Sequence, residues 1–374
     1  ELDAATGAVR SILEERSDTY LELNPTTWAQ PNVRILGEGD EVIWFSERDG
    51  WGHLYLSDAR TGELQNQITS GEWLVRDIVR LDEEARRVYF TACGREPERD
   101  PCYRHLYGVN LDGSELALLT PEDADHQVSI PPASEIVALA QMALLGGTPS
   151  VSGFSPSGRY FLDTWSRMDT APVSLLRSAD GELVCTLETA DVSDVLSAGW
   201  RWPEPFQVKA RDGETDLYGA IYRPSHFDPE RRYPVIDMIY PGPQVVRTPK
   251  RSFPIEPVET INYTLPQVLA ELGFVTVTID GMSSPFRSKA FHDFAYGRME
   301  DAGGLEDHLA GLRELAESRP YMDLDRVGIT GHSGGGFAST RAILAFPDFY
   351  KVAVSSAGNH DQLGYQSYWG EKYQ

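Results

Sequence analysis

The spacing of apolar residues changes near residue 199. Before that point, short stretches such as "EVIWFSE" at 41–47 and "RRVYFTA" at 86–92 mix aromatic and β-branched side chains, which is typical of strands buried on both faces. After "GWRWPEP" at 199–205, near-continuous apolar strands alternate with amphipathic helical stretches, as in a mostly parallel sheet covered by helices. We therefore predict two domains, residues 1–199 and 200–374.

An Asp/Gly turn recurs in the first part of the chain. Its glycines, Gly7, Gly62, Gly113 and Gly181, lie about 50 to 70 residues apart, which fits four-stranded β-propeller blades. About three to four blades are present. Since a repeat array needs neighbours to close its core, we expect further sequence upstream of Glu1. A β-sandwich with similar hairpin spacing is the alternative.

One segment interrupts the third repeat. "SIPPASEIVALAQMALLGGTPS" at 129–150 has helix-like apolar spacing. We predict a surface insertion that packs on the blade, with a subunit contact as the alternative.

The second part of the chain predicts a mostly parallel sheet covered by helices on both faces. A hairpin at 206–224 comes first, and strands and helices then alternate. Strands are predicted at "PVIDMIY", "FVTVTID", "RVGIT" and "KVAVSSA", and helices at "TLPQVLAELG", "GLEDHLAGLRELAES" and "GGFASTRAILAF". These runs are too short for a TIM barrel.

Charge and composition exclude some functions. Acidic residues outnumber basic ones 57 to 33, and the net charge of −24 would repel a nucleic acid backbone. The longest apolar run, 135–147, is shorter than the roughly 20 residues that cross a bilayer, so we expect no membrane span in this segment. The chain opens on "ELDAATG" and closes on "WGEKYQ", and we expect both ends to be internal to a longer protein, which leaves the compartment open.

The cysteines and two histidines give no metal pattern. Cys93 and Cys102 bracket a polar loop, where a disulfide and two free thiols are equally plausible, and Cys185 is expected in the core. His126 and His292 are interpreted as solvated loop residues. With no H-E-x-x-H or C-x-x-C motif, we expect neither a metal nor a cofactor.

The strongest chemical motif is G-x-S-x-G at residues 331–335. A strand precedes it and a helix follows it, so Ser333 lies on a sharp turn that would expose its hydroxyl as a nucleophile. The N–H of Gly334, at the helix N-terminus, is the predicted oxyanion donor. His332 leaves the turn in another direction and is not expected to be the base. The alternative of a phosphate loop lacks its lysine.

Tyr240 is a second candidate. It ends the strand "VIDMIY", and open α/β sheets carry their functional groups at the carboxyl ends of strands. Its hydroxyl could donate a second oxyanion hydrogen bond, or its ring could simply pack at the strand end.

The runs "RRYPVIDMIYPGPQ", "DGMSSPFRSKAFHD" and "RVGITGHSGGG", together with the blade pattern, resemble the prolyl oligopeptidase family of serine peptidases, in its dipeptidyl-peptidase IV branch. The resemblance spans nearly the whole chain. It implies a β-propeller that caps an α/β-hydrolase domain and admits only short peptides. It also implies that Tyr240 joins Gly334 in an oxyanion hole, and that Tyr365 and Trp369 line a flat apolar pocket suited to proline or alanine.

Two parts of the family's machinery are not found. The triad acid and base should follow later strands, so we expect them beyond Gln374, and we interpret His360 and Asp361 as loop or pocket-edge residues. The glutamate pair that binds the substrate's N-terminal amine in this branch is expected upstream of Glu1.

The resemblance implies release of N-terminal dipeptides after Pro or Ala from short peptides, through an acyl-enzyme on Ser333. An esterase or acylaminoacyl peptidase on the same scaffold is one alternative, and a non-catalytic interaction protein is another. Many relatives are exported or dimeric, and the residues leave both the compartment and a homodimer open.

Overall fold

The computed structural model describes residues 1–26, 29–37, 39–130, 151–365 and 367–373. Three four-stranded antiparallel sheets come first. Their strands are β1 (Arg34–Leu36), β2 (Glu41–Ser46), β3 (His53–Asp58) and β4 (Leu64–Gln67); β5 (Leu74–Asp82), β6 (Arg87–Cys93), β7 (His105–Asn110) and β8 (Ala117–Leu118); and β9 (Asp125–Gln127), β12 (Tyr160–Ser166), β13 (Val173–Ser178) and β14 (Leu183–Thr189).

The three sheets stack as propeller blades. Ile43 and Phe45 of the first sheet share one buried cluster with Val88 and Phe90 of the second. Tyr89, on the opposite face of β6, packs with Phe161 of the third sheet. Because the middle sheet is buried on both faces, its strands need apolar residues at successive positions. The prediction of a partial β-propeller is confirmed.

A short hairpin of β10 (Ser129–Ile130) and β11 (Val151–Ser152) extends from the third sheet. The predicted insertion at 129–150 falls almost entirely outside the described residues. Helix α1 (Ser193–Ser197) then leads to the second part of the chain.

A six-stranded sheet forms the second part, in the order β15-β16-β18-β17-β19-β20. Its first pairings are antiparallel, and β18, β17, β19 and β20 run parallel. The strands are β15 (Glu204–Lys209), β16 (Asp216–Tyr222), β17 (Tyr233–Met238), β18 (Val275–Asp280), β19 (Met322–His332) and β20 (Tyr350–Ser356). The helices are α2 (Pro257–Glu271), α3 (Lys289–His292), α4 (Leu305–Ser318), α5 (Gly334–Ala345) and α6 (Ser367–Gly370), with 3₁₀ turns at Asp293–Ala295 and Met299–Asp301.

Helices cover both faces of this sheet. Leu309 and Ala338, of α4 and α5, share a buried cluster with Val277 of β18. Tyr263 of α2 packs with Tyr222 on the opposite face. Every residue of β18 is buried, which explains its unbroken apolar run. The predicted α/β-hydrolase order is confirmed, while the boundary between residues 199 and 200 stays a prediction.

A buried cluster of three polar side chains, which the sequence analysis did not predict, includes residues of this sheet. Asp237 accepts hydrogen bonds from His308 Nδ1 at 2.7 Å and Tyr350 Oη at 2.8 Å, and all three residues are buried. Burial alone would lower the pKa of His308, but the Asp237 carboxylate beside it raises that pKa overall. The three side chains satisfy one another where water cannot reach.

The cysteine predictions have mixed outcomes. Cys93 and Cys102 are buried free thiols, and the Cys93 thiol donates to the Cys102 carbonyl oxygen at 3.4 Å. The prediction that Cys185 lies in the core is wrong. It is exposed on β14, whose residues are all exposed because it is the outer strand of its sheet.

Two histidine predictions are also wrong. His126 is fully buried on β9, where its Nδ1 lies 2.8 Å from Asp163. His292 ends α3 with its side chain 11% exposed, between Glu47 and Asp293. Each histidine pairs with a carboxylate that is distant in sequence, His126 with Asp163 and His292 with Glu47. Asp293, next to His292, did not by itself indicate a pair.

Within the described ranges, no helix combines the length and apolarity needed to cross a bilayer.

Candidate active site

Ser333 occupies a strained turn between β19 and α5. Its φ of 56° and ψ of −120° lie where residues with a Cβ rarely occur. The backbone holds this conformation from both sides. Ser333 N donates to Ser356 O at 2.8 Å on the neighbouring strand, and Ser333 O accepts from Phe337 N at 3.0 Å in the helix.

Glycines around Ser333 allow the chain to pass too closely for any side chain. A methyl group at Gly331 would lie 2.5 Å from Gly335 and from the Ile239 carbonyl oxygen, and one at Gly335 would lie 2.1 Å from that same oxygen. At Gly336 it would lie 2.4 Å from Ser356 O. The obstacles are backbone atoms, which cannot move aside as a flexible side chain can. The close approach of the backbone therefore requires glycine at these three positions.

Gly334 lies between two of the predicted aromatic residues. A Cβ placed on it would be 3.3 Å from Tyr240 Cε1 and Cζ and 3.3 Å from Trp369 Cζ2. As the first residue of α5, Gly334 has no acceptor for its N–H within the helix. The structure therefore brings Tyr240, Trp369 and the serine turn together, although about 130 residues separate Tyr240 from Trp369 in sequence.

The aromatic segment after β20 forms one side of this site. Trp369 is 5% exposed on α6, and Tyr365 meets it edge-on, with ring centroids 5.4 Å apart and 39% of Tyr365 exposed. Gln244 Nε2 donates to Trp369 O at 3.3 Å. Trp369 is thus a buried wall, whereas Tyr365 lies at its solvent edge.

Tyr373 is a site residue that the sequence analysis missed. Its ring lies 4.8 Å from that of Trp369, and its hydroxyl donates to Pro241 O at 3.1 Å, next to Tyr240. Burial raises the pKa of Tyr373, and the nearby Tyr240 adds to this. The only sequence signal was its place in the aromatic run that supplied Tyr365 and Trp369.

The histidines near the serine are engaged elsewhere. His332 is exposed and its Nδ1 lies 3.0 Å from Ser356 Oγ, while His360 Nε2 lies 3.4 Å from Ser355 Oγ. Asp361 accepts from Leu363 N at 3.0 Å. Within the described part of the chain, no histidine is hydrogen-bonded to Ser333. This agrees with the expectation that His332 is not the base and with the interpretation of His360 and Asp361 as loop or pocket-edge residues.

One group in the described residues has the composition of a metal site. Glu122, His126 and Asp163 each offer a ligand atom, all within 4.8 Å of one another. Arg177 already fills the electrostatic role of a cation there, since its guanidinium donates to Asp163 Oδ2 at 2.9 Å and to Glu122 Oε1 at 2.5 Å. We interpret the group as a buried ion-pair network within the third sheet.

The fold and the strained serine define an α/β hydrolase preceded by β-propeller blades. Comparison with family models agrees with this class. Residues 1–172 match the dipeptidyl peptidase IV N-terminal region, and residues 261–374 match the prolyl oligopeptidase family. The chain belongs to the prolyl oligopeptidase family, in its dipeptidyl-peptidase IV branch.

Individual relatives agree with this placement. The chain is 30% identical to human dipeptidyl peptidase 8 over 97% of its own length and 40% of that protein. It is 29% identical to a probable dipeptidyl-aminopeptidase B of Emericella nidulans, over 87% of this chain and 32% of the relative. The chain thus spans well under half the length of the curated relatives it matches.

Solved structures share the fold. Dipeptidyl peptidase 4 of Porphyromonas gingivalis superposes with a TM-score of 0.77 at 23% identity, over 100% of this chain and 46% of that structure. A putative dipeptidyl aminopeptidase IV of Bacteroides ovatus gives 0.71 at 26% identity, over 92% of this chain and 46% of the other.

Proposed function

We propose that the intact protein containing this chain is a serine peptidase that releases dipeptides from the N-termini of short peptides after Pro or Ala. The observation that carries the proposal is the positive φ of Ser333 on a turn that adjoins Tyr240 and Trp369. Such strain is retained where it serves function. The names of the relatives, which are dipeptidyl peptidases, support the exopeptidase part.

Ser333, Gly334 and Tyr240 each have a chemical role in this proposal. Ser333 Oγ attacks the carbonyl carbon of the scissile bond, and the carbonyl electrons move onto its oxygen. The Gly334 N–H and the Tyr240 hydroxyl donate hydrogen bonds to that oxyanion. When the oxyanion collapses, the C–N bond breaks and the amine leaves with the proton that the serine gave up. Water then releases the acyl group by the reverse sequence.

The proton must pass through a base that the described residues do not supply at Ser333. We propose that a histidine, oriented by an aspartate, comes from another part of the intact protein. Without such a base, serine hydrolases lose many powers of ten in rate. We therefore expect residues 1–374 alone to be nearly inactive.

The aromatic residues beside the serine support the proposed preference. Trp369 is buried, and its ring and that of Tyr240 both lie against Gly334, where even a methyl group would be 3.3 Å from each. Aromatic rings next to the nucleophile offer apolar surface that suits the ring of proline or the small side chain of alanine.

Covalent labelling of the intact protein tests the nucleophile. A fluorophosphonate should label the wild type and not Ser333→Ala, because only an activated serine reacts. Hydrolysis of Gly-Pro-p-nitroanilide should exceed that of N-acetyl-alanine p-nitroanilide. Equal labelling of both proteins would reject Ser333, and the reverse substrate order would favour an acylaminoacyl peptidase.

The oxyanion role of Tyr240 has its own test. Tyr240→Phe keeps the ring against Gly334 and removes one donor, so kcat should fall by about 10²- to 10³-fold with little change in KM. An unchanged kcat in the folded variant would show that Tyr240 only packs at the strand end.

A further inference from the structure

A short segment of the propeller part, residues 19–24, reaches across to the hydrolase part. Thr19 Oγ1 donates to Asp293 Oδ2 at 2.5 Å, and Lys289 Nζ donates to the Tyr20 carbonyl oxygen at 2.8 Å. We call residues 19–24 the bridging segment. Its first half is bound to the helix and 3₁₀ turn that follow β18.

The far end of the bridging segment is fixed to the propeller. Asn24 is 8% exposed, and its Nδ2 donates to Asp77 Oδ1 at 3.0 Å on β5. Thr26 Oγ1 donates to the other oxygen of Asp77 at 3.2 Å. The segment is therefore held at both ends, and a group at its centre has a defined position relative to both parts.

The central group is Glu22, which forms a buried ion pair with Lys372. The Lys372 Nζ lies 2.6 Å from Glu22 Oε2, and their side chains are 5% and 11% exposed. The Glu22 Oε1 accepts from Leu23 N and Asn24 N at 3.2 and 3.3 Å, which orients the carboxylate. The ammonium also lies 5.2 Å from the centroid of the Tyr20 ring. A charge this deeply buried is costly to leave unpaired, so the two positions are strongly linked.

The residues beside Lys372 contact the candidate active site. Tyr373, the next residue, donates to the Pro241 carbonyl oxygen next to Tyr240. Trp369, three residues earlier, packs against Gly334 and the Tyr373 ring. Displacement of Lys372 would therefore act first on the aromatic wall that Trp369 and Tyr373 form beside Gly334.

We infer that the Glu22–Lys372 pair is a positioning clamp, by which the bridging segment of the propeller holds the aromatic wall of the substrate pocket in place. Neither side chain contacts Ser333 in the described structure, so the pair acts through Trp369 and Tyr373. The inference rests on the proposed function for its kinetic consequences. Its structural consequence, an ordered segment at 367–373, is independent of that function.

Kinetics of the intact protein provide the first test. In Lys372→Met, which keeps the apolar stem and removes the charge, KM for Gly-Pro-p-nitroanilide should rise about tenfold while kcat changes by less than about threefold. Glu22→Gln should behave alike, and the double variant should lose no more than the worse single variant, because both changes break one interaction. Lys372→Arg should recover most of the loss. The matched control is Lys351→Met, at an exposed lysine on β20, with wild-type kinetics.

Hydrogen exchange provides a test that needs no activity. Amides of residues 367–373 should exchange faster in Lys372→Met and Glu22→Gln than in the wild type or the Lys351→Met control. Wild-type KM and exchange in both clamp variants, or additive losses in the double variant, would overturn the clamp. A wild type that neither hydrolyses peptides nor reacts with the fluorophosphonate, with faster exchange in the variants, would reject the proposed function and retain the clamp. If Lys372→Met does not fold, the isosteric Glu22→Gln decides.

Discussion

Backbone strain is distributed differently in the propeller sheets and in the hydrolase sheet. Among the described residues of the propeller part, the non-glycine residues with positive φ are Arg86, Glu98 and Glu115, and all three are exposed. The described residues of the hydrolase part include six, and three of them lie at the carboxyl ends of parallel strands. Ser333 and Ala357 directly follow β19 and β20, and Ser283 lies three residues after β18. The other three are Phe253, Phe286 and Ala302.

The difference separates two uses of the same unfavourable conformation. A positive φ on a non-glycine residue costs about 1–3 kcal/mol wherever it occurs. In the propeller it occurs at exposed turns, where the chain reverses between antiparallel strands. In the hydrolase part, half of these residues lie along one edge of the sheet, where parallel strands end and the candidate site is found. The propeller thus keeps this cost at exposed turns, whereas the hydrolase sheet bears part of it at the strand ends beside the candidate site.

The largest expected effect, because it combines a loss of activity with a loss of stability, comes from the strained edge. Gly335→Ala places a methyl group 2.1 Å from the Ile239 carbonyl oxygen, so the turn must distort. We expect a loss of activity of about 100-fold or more in the intact protein, and a loss of stability of about 3 kcal/mol. Peptide hydrolysis and thermal unfolding measure the two effects.

The control for this change is Gly364→Ala, where a methyl group meets no atom within 4 Å and φ is not in the positive range. Its stability should stay within about 0.5 kcal/mol of the wild type. A Gly335→Ala protein with full activity would remove the evidence that strain at this edge matters.

The next effect concerns the propeller. Asp163 is fully buried and accepts from His126 and from Arg177, whose side chain is 3% exposed. Asp163→Asn leaves the guanidinium with a weaker partner in a dry interior, so stability should fall by about 3–5 kcal/mol while kcat is unchanged. Thermal unfolding and peptide kinetics of the intact protein check both statements.

Asp40→Asn, at an exposed pair with Arg60, is the matched control and should cost less than about 1 kcal/mol. If both substitutions lower the unfolding temperature equally, buried pairing is not what holds the third sheet together.

The smallest effect lies between the two regions. Burial alone would lower the pKa of His292, but hydrogen bonds to Asp293 and to Glu47 of the propeller part raise it to about 9. Because the folded pKa is above the unfolded value near 6.5, the stabilisation is fully present below pH 6.5 and is lost as the pH rises through 9. It amounts to at most about 3 kcal/mol.

Unfolding temperatures measured from pH 6 to 10 should therefore fall more steeply in the wild type than in His292→Gln. Parallel curves would show that His292 does not titrate at this contact.

The sequence predicted the fold well because its signals are local. Apolar runs, turn glycines and the strand–turn–helix context of Ser333 are each set by neighbouring residues, and the elements they predict are present. The placement of Tyr240 beside Gly334 came from the rule that strand ends carry the site, together with the family resemblance.

What the sequence did not predict depends on contacts between distant residues. His126 and His292 looked solvated because their partners, Asp163 and Glu47, are not close enough in sequence to suggest a pair. Cys185 was predicted to lie in the core, but it is exposed because its strand is the outer strand of its sheet. Tyr373 was missed because its partner, Pro241, is 132 positions away.

The fit between Gly242 and Tyr373 has a consequence for the history of this sequence. A Cβ at Gly242, where φ is 93°, would lie 1.9 Å from the Tyr373 hydroxyl. A mutation that adds a side chain at the first position is therefore tolerable only after the phenol at the second has been lost. Lineages that have lost the glycine should therefore also have lost the tyrosine, whereas the tyrosine can be lost alone.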